Sequence, residues 1–244
     1  MIRVEAQPAF VLHARAWRET SLLLDVLSHD HGRVGLVARG VRSARTRTPR
    51  SLLQPFTPLS VSWSGRGELA TMTAAEAAGA ALPLTGEPLL CALYLNELVA
   101  RLAPRNDPHP DIFAAYLDSL ARLARADAPA WTLRRFERDL LGHLGYGLLL
   151  DAEADTGVPL EPAVEYAYFL EQGPLRWRGA GDGLKLRGAA LLALARDVEP
   201  DSTDLPSLRR LLRALIAQRL DGGALNAWNL MGGARSAGAN LAEL

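Results

Sequence analysis

Cysteine is almost missing from this chain. Cys91 stands alone, which excludes an intramolecular disulfide and any zinc site built on several thiolates. Long apolar runs are missing too: stretches such as Leu148 to Leu150 fall far short of the roughly 20 residues a membrane span needs. The first residues, Met1 to Pro8, carry Arg3 and Glu5 where a secretory leader would have an apolar stretch. The expectation is a soluble, cytoplasmic protein with no membrane partner. Phosphate-cradling patterns of the G-x-x-x-x-G-K-[ST] or G-x-G-x-x-G type do not occur, nor does a G-x-S-x-G nucleophile elbow. No enzyme and no cofactor are expected. Lysine is nearly absent as well, since Lys185 is the only one among 27 basic residues. The positive charge is therefore almost all guanidinium.

The zero net charge hides an uneven distribution. Residues 1–80 hold ten arginines against six acids, a balance of +4, and the remainder is correspondingly acidic. No Asp or Glu occurs between Asp30 and Glu68, a window that contains Arg33, Arg39, Arg42, Arg45, Arg47, Arg50 and Arg66. A local positive field without compensating acids attracts a polyanion whatever the global charge. The plainer reading is a loop of solvated arginines in an Ala/Arg/Leu-biased sequence.

Apolar periodicity divides the chain in two. Phe10-Val11-Leu12, Leu22 to Leu27, Arg33 to Ala38, Leu59 to Trp63 and Leu69 to Ala74 read as five short strands. Asp30-His31-Gly32 and Ser64-Gly65-Arg66-Gly67 are turns between neighbours. Five strands in about 80 residues predict a small barrel of the oligonucleotide-binding (OB) type. No helix is visible in the Arg-rich stretch Gly40 to Gln54, between strands three and four. After Pro83 the period becomes helical. Helices are predicted around Leu89 to Leu102, Ile112 to Ala124, Pro129 to Leu144, Gly188 to Asp197 and Leu205 to Leu220, with a small hairpin over 166–177. The fold class is thus α+β, a barrel over 1–80 and a helical domain over 81–244. The Gly/Ala-rich tail from Gly222 is expected to be poorly ordered.

Few residues suggest chemistry. His29-Asp30-His31 is the only tight set able to touch a metal, and it falls on a turn without further ligands nearby, so no structural metal is expected. Cys91 and His143 are expected to pack among apolar neighbours. Glu137 and Asp139, beside Arg134, Arg135 and Arg138, suggest pairing along a helix. Phe10, Trp17, Phe56 and Trp63 lie near the arginine window and are either core or stacking faces for bases.

Several segments in fixed order resemble the RecO family of bacterial recombination mediators. They are Ala9 to His13 with Glu19 to Leu22, Gly32 to Val34, Val37 to Arg42, and Leu53 to Phe56. Tyr94-Leu95-Asn96-Glu97-Leu98, Leu133 to Glu137 and Leu141 to Gly147 continue the likeness, which covers roughly residues 8–150 and weakens beyond. The resemblance implies a non-enzymatic protein that binds single- and double-stranded DNA and anneals complementary strands. It implies action with RecR to load RecA onto strands covered by single-strand-binding protein (SSB). Many members carry a four-cysteine zinc site that this chain cannot build, and the hairpin near 166–177 is expected in its place.

On that reading, Arg33, Arg39, Arg42, Arg45, Arg47 and Arg50 form much of the DNA surface. The family also implies capture of an acidic SSB tail ending in an apolar residue with a free carboxylate. Arg134, Arg135, Leu141 and Leu144 would supply guanidinium and apolar wall. Arg134 and Leu144 stand about 15 Å apart on a straight helix, so one small pocket uses both only with help from a neighbouring element or a bend. The reading from another class is a protein-interaction adaptor whose barrel binds DNA poorly. A hydrolase lacks any nucleophile–base–orienter set.

Overall fold

The structure, a computed structural model, describes residues 3–43, 48–65, 67–179, 181–220 and 224–228. Compactness divides it into two units, one holding residues up to Ala126 with the stretch from Leu225, the other Asp127–Ala224.

The first unit is built on a closed five-stranded barrel of OB type. Its strands are β1 (Arg3–Trp17), β2 (Ser21–Ser28), β3 (Gly32–Ala38), β4 (Leu59–Ser64) and β5 (Ala70–Ala77), ordered β1-β2-β3-β5-β4 around the barrel. β1 closes it. Its first half pairs with β4 and its second half with β2, and register breaks between Val4 and Gln7 and between Val11 and His13 let one strand serve both neighbours. Alternate residues face inward, so Val11, Leu22, Leu24, Val26, Leu36, Val61 and Trp63 fill the barrel. Val41 and Leu53 join that core and pin both ends of the long β3–β4 connection. Turns occupy Pro49 to Leu53, where Leu52 and Leu53 donate to the Pro49 and Arg50 carbonyls.

Two helices, α1 (Gly86–Leu102) and α2 (Pro110–Ala124), complete this unit. The β1 register break at Leu12 leaves that carbonyl outside the ladder, and buried Asn96 Nδ2 donates to it at 2.9 Å. Tyr116 Oη in turn donates to Asn96 Oδ1 at 2.5 Å, so one amide ties both helices to the barrel. Beyond α1 the chain runs along β3, and the Asn106 amide donates to the Arg33 carbonyl at 2.9 Å. Gly32 makes this approach possible, because a Cβ there would lie 1.8 Å from the Asp107 carbonyl oxygen.

The second unit packs α3 (Pro129–His143), α4 (Gly188–Ala195) and α5 (Leu205–Arg219) with a sheet of β6 (Glu165–Phe169), β7 (Gly173–Arg176) and β8 (Leu184–Arg187) in the order β7-β6-β8. The predicted hairpin is present, but the sheet has a third strand. The alternation Leu184-Lys185-Leu186-Arg187 is only four residues long and runs straight into α4, which hides it from a periodicity reading. Among the described residues no helix is long and apolar enough to cross a membrane. The tail beyond Trp228 lies outside the described residues.

Candidate nucleic-acid interface

The barrel carries the candidate residues in two places. Arg39, Arg42 and Arg50 are exposed on the β3–β4 connection, while Arg45 and Arg47 lie outside the described residues. Arg42 is anchored by its backbone. Its amide donates to the Thr20 carbonyl at 3.0 Å and its Nη1 to the Arg18 carbonyl at 3.3 Å, which ties this connection to the β1–β2 turn. Arg33 does not project with them. Its side chain is 12% exposed, and Nη1 donates to the carbonyls of Ala100 and Ala103, the last turn of α1. A cation there complements the partial negative charge of the helix C-terminus. Asp25 lies 3.4 Å from Arg33 Nε and accepts from Arg105 Nη2 at 2.9 Å. Burial pulls the Arg33 guanidinium below its ordinary value, Asp25 opposes the shift, and Arg105 adds to it.

The outward face of β1, β2 and β3 bears a shallow groove of about 360 Å³. Arg15, His13 and Arg105 supply positive or ionisable groups, Asp25 and Glu68 acids, and Leu23 and Leu69 apolar floor. In OB folds this face, with the loops beside it, takes oligonucleotides. Sequence reading missed Arg15, His13 and Arg105. The first two were legible as alternate exposed positions of β1; Arg105 was not, because it reaches the groove from a segment eighty residues beyond Asp25. The four aromatic candidates separate cleanly. Phe10, Phe56 and Trp63 are buried, and Trp17 is exposed.

In the second unit the arginines of α3 are held in ion pairs. Arg134 is 8% exposed and forks onto Glu137, itself 1% exposed, with Nε donating to Oε2 at 2.7 Å. Arg135 Nε donates to Asp197 at 2.5 Å, and Arg138 Nε to Asp139 at 2.7 Å. The pairing expected along the helix is there for Arg134 and Arg138, whereas Arg135 reaches to the residues after α4. Burial would raise Asp197, but hydrogen bonding from Arg135 and the charges of Arg138 and Arg135 outweigh it and hold this carboxyl low. Leu144 is half-buried, and Leu141 lines an open cavity of about 540 Å³ with Tyr146, Leu148, Leu215 and Arg219. The Arg219 guanidinium lies 4.0 Å from the centre of the Tyr146 ring, a cation–π contact. His143, expected to pack, is exposed at the end of α3 because the helix turns its apolar stripe, Phe136, Leu140 and Leu141, to the other side.

Comparison with known proteins supplies the family. The model for the N-terminal part of recombination protein O matches residues 1–81, and that for its C-terminal part matches residues 84–228. The chain belongs to the RecO family. The DNA repair protein RecO of Nitrosococcus oceani is 53% identical over 221 residues, covering 90% of this chain and 89% of that protein. Those of Stenotrophomonas maltophilia and Xanthomonas euvesicatoria are 48% and 46% identical, each covering 93% of this chain and 96% of the relative. The RecO resemblance read from the segments above is therefore correct, and a role in DNA repair and recombination follows.

The RecO-like segments also acquire physical meaning. In Tyr94-Leu95-Asn96-Glu97-Leu98, Asn96 takes the free Leu12 carbonyl, while Glu97 accepts from the amides of Asn226 and Ala227 at 2.8 Å each. His29-Asp30-His31 is a turn. His29 Nδ1 lies 2.5 Å from Asp30 Oδ1, and the two rings pack on Phe113 and Trp63. Among the described residues no three His, Cys, Asp or Glu side chains converge on a metal-sized site.

Proposed function

We propose that this RecO-family chain is a non-enzymatic, nucleoid-associated recombination mediator in the cytoplasm. It binds single- and double-stranded DNA, anneals complementary strands and, with RecR, helps load RecA onto SSB-coated single strands. One observation carries the DNA reading: the acid-free arginines Arg39, Arg42 and Arg50 project from the connection that adjoins the β1–β2 turn of an OB barrel. Arg45 and Arg47 belong to the same proposed surface, whereas Arg33, bonded to the end of α1, is left out of it. Guanidinium groups on such a surface neutralise phosphates regardless of sequence, which suits a protein acting on any strand. The groove on the outward face of β1, β2 and β3 has room for bases. The deciding experiment measures annealing of complementary strands, bare and SSB-coated. Annealing in both conditions supports the mediator; annealing of bare strands alone removes SSB from the account; none in either removes the function.

For the SSB tail, the proposed site is α3 around Arg134 and Arg135 with the cavity that Leu141 lines. Leu141 offers an apolar wall, and Leu144 follows one turn later. Arg134 and Arg135 would meet the tail carboxylate only by releasing Glu137 and Asp197. Arg219 lies at the cavity already. Titrating a fluorescent tail peptide against Arg134→Ala, Arg219→Ala and the surface control Arg122→Ala tests this. Wild-type affinity in both of the first two variants would move the tail site off α3.

A further inference from the structure

We propose that Trp17 is a stacking platform for an unpaired nucleobase and gives the barrel face its preference for single strands. The inference rests on the DNA-binding reading above and adds to it the feature of DNA that is recognised. Of the four aromatic side chains near the arginine window, three are used up by packing. Phe10 meets Phe113 and Tyr116 at ring distances of 5.7 and 5.4 Å, Trp63 meets His31 at 5.2 Å, and Phe56 is buried. Trp17 is 37% exposed at the last position of β1. An indole is the largest apolar side chain, and keeping over a third of it in water at a strand end forgoes part of the burial its three counterparts have.

Its surroundings are those of a strand-binding site. Trp17 pairs with Ser21, and the adjacent rung joins Leu22 to Ala38, so Arg39 begins the β3–β4 connection beside the same edge. Arg15 and His13 follow at alternate positions on the same face and lead into the groove. The turn after Trp17 is held in place by Arg42, bonded to the Thr20 and Arg18 carbonyls. The ring thus stands next to a fixed turn, which limits the backbone ordering left for the moment of binding. Cations on either side of a solvent-exposed indole are what a single strand needs: phosphates follow the arginines while a base lies on the ring. A duplex keeps its base faces stacked inside and can use only the arginines.

The test is anisotropy titration of the full chain with a labelled oligothymidylate, the matching duplex and an abasic oligomer. Trp17→Ala should weaken oligothymidylate binding about tenfold, while Trp17→Phe, which keeps a π-face, should stay within about threefold of wild type. Duplex affinity and the salt dependence for either DNA should not move, because stacking releases no counterions. For the wild-type protein, the abasic oligomer should lose about the same factor of ten. Unchanged oligothymidylate binding by Trp17→Ala, an equal loss for duplex, or a flatter salt dependence would each overturn the proposal while leaving DNA binding intact. A wild-type protein that binds neither DNA at low salt would overturn both this inference and the reading beneath it.

Discussion

Replacing Arg33 by Met separates a structural arginine from a phosphate-binding one. The substitution keeps the alkyl stem and removes the guanidinium that donates to the Ala100 and Ala103 carbonyls at the end of α1. Hydrogen bonds to a charged group contribute about 1.5–3 kcal/mol each, and water reaching the opened site recovers part of that. Asp25 keeps its 2.9 Å partner Arg105, so no unpaired charge is stranded. A loss of about 3 kcal/mol is therefore expected for the first unit. For a domain of this size that corresponds to a fall in Tm of roughly 10 °C. The assay is thermal unfolding followed by circular dichroism, run beside the salt dependence of single-strand binding below the transition. Arg33→Met should melt early and bind with the wild-type salt slope. A variant that melts within about 2 °C of wild type, with a slope shallower by about 0.7, would show that Arg33 faces phosphate and that the capping argument is wrong.

Three further outcomes follow from the same structure. Arg134→Met leaves Glu137 buried without its fork, which should cost about 3–5 kcal/mol, and the double change Arg134→Met with Glu137→Leu should recover most of it; chemical unfolding of the two variants decides. Asn96→Ala leaves the Leu12 carbonyl and the Tyr116 hydroxyl without their mutual partner and should cost about 2–4 kcal/mol in urea unfolding, whereas an effect below about 1 kcal/mol would mean the amide bridge is incidental. In the second unit, the hydrogen bond from the Thr156 hydroxyl, opposed by burial and aided by Arg176, holds Glu153 below its ordinary 4.5. Asp197 is also held low. A carboxylate with a depressed folded pKa adds stability that is complete above its ordinary pKa and lost as pH falls through the folded value. Urea midpoints should accordingly decline on acidification below about pH 4.5, and Arg176→Met should flatten that decline; an identical pH dependence would refute the assignment.

Period-two and helical patterning made most of the architecture legible, because each strand and helix buries one face and the burial writes its period into the sequence. Leu22, Leu24 and Val26 point inward from β2, and the stripe on α3 comes from Phe136, Leu140 and Leu141. Where the period breaks, an element is longer than its alternation suggests. Residues Arg3 to Pro8 belong to β1, but the irregular register against β4 leaves no alternation to see. The pairing of Arg134 with Glu137 was visible because both lie on one helix. Arg33 looked like its neighbours in the arginine window, since its carbonyl partners come nearly seventy residues later and no local pattern announces them. The groove is hidden for the same reason: Arg15, Asp25 and Arg105 meet only when the barrel closes and the segment after α1 lies along β3.

The central claim is that exposed arginines on the β3–β4 connection bind the phosphates of DNA. It is tested most directly by the salt dependence of single-strand affinity for wild type and for the combined change of Arg39, Arg42 and Arg50 to Ala. All three side chains are exposed, and the backbone bond from Arg42 to Thr20 survives the substitution. The slope of log affinity against log salt should become shallower by up to about 2, at roughly 0.7 for each phosphate released, with Tm unchanged. An unaltered slope in a folded variant would contradict the account and place the DNA site elsewhere in the chain.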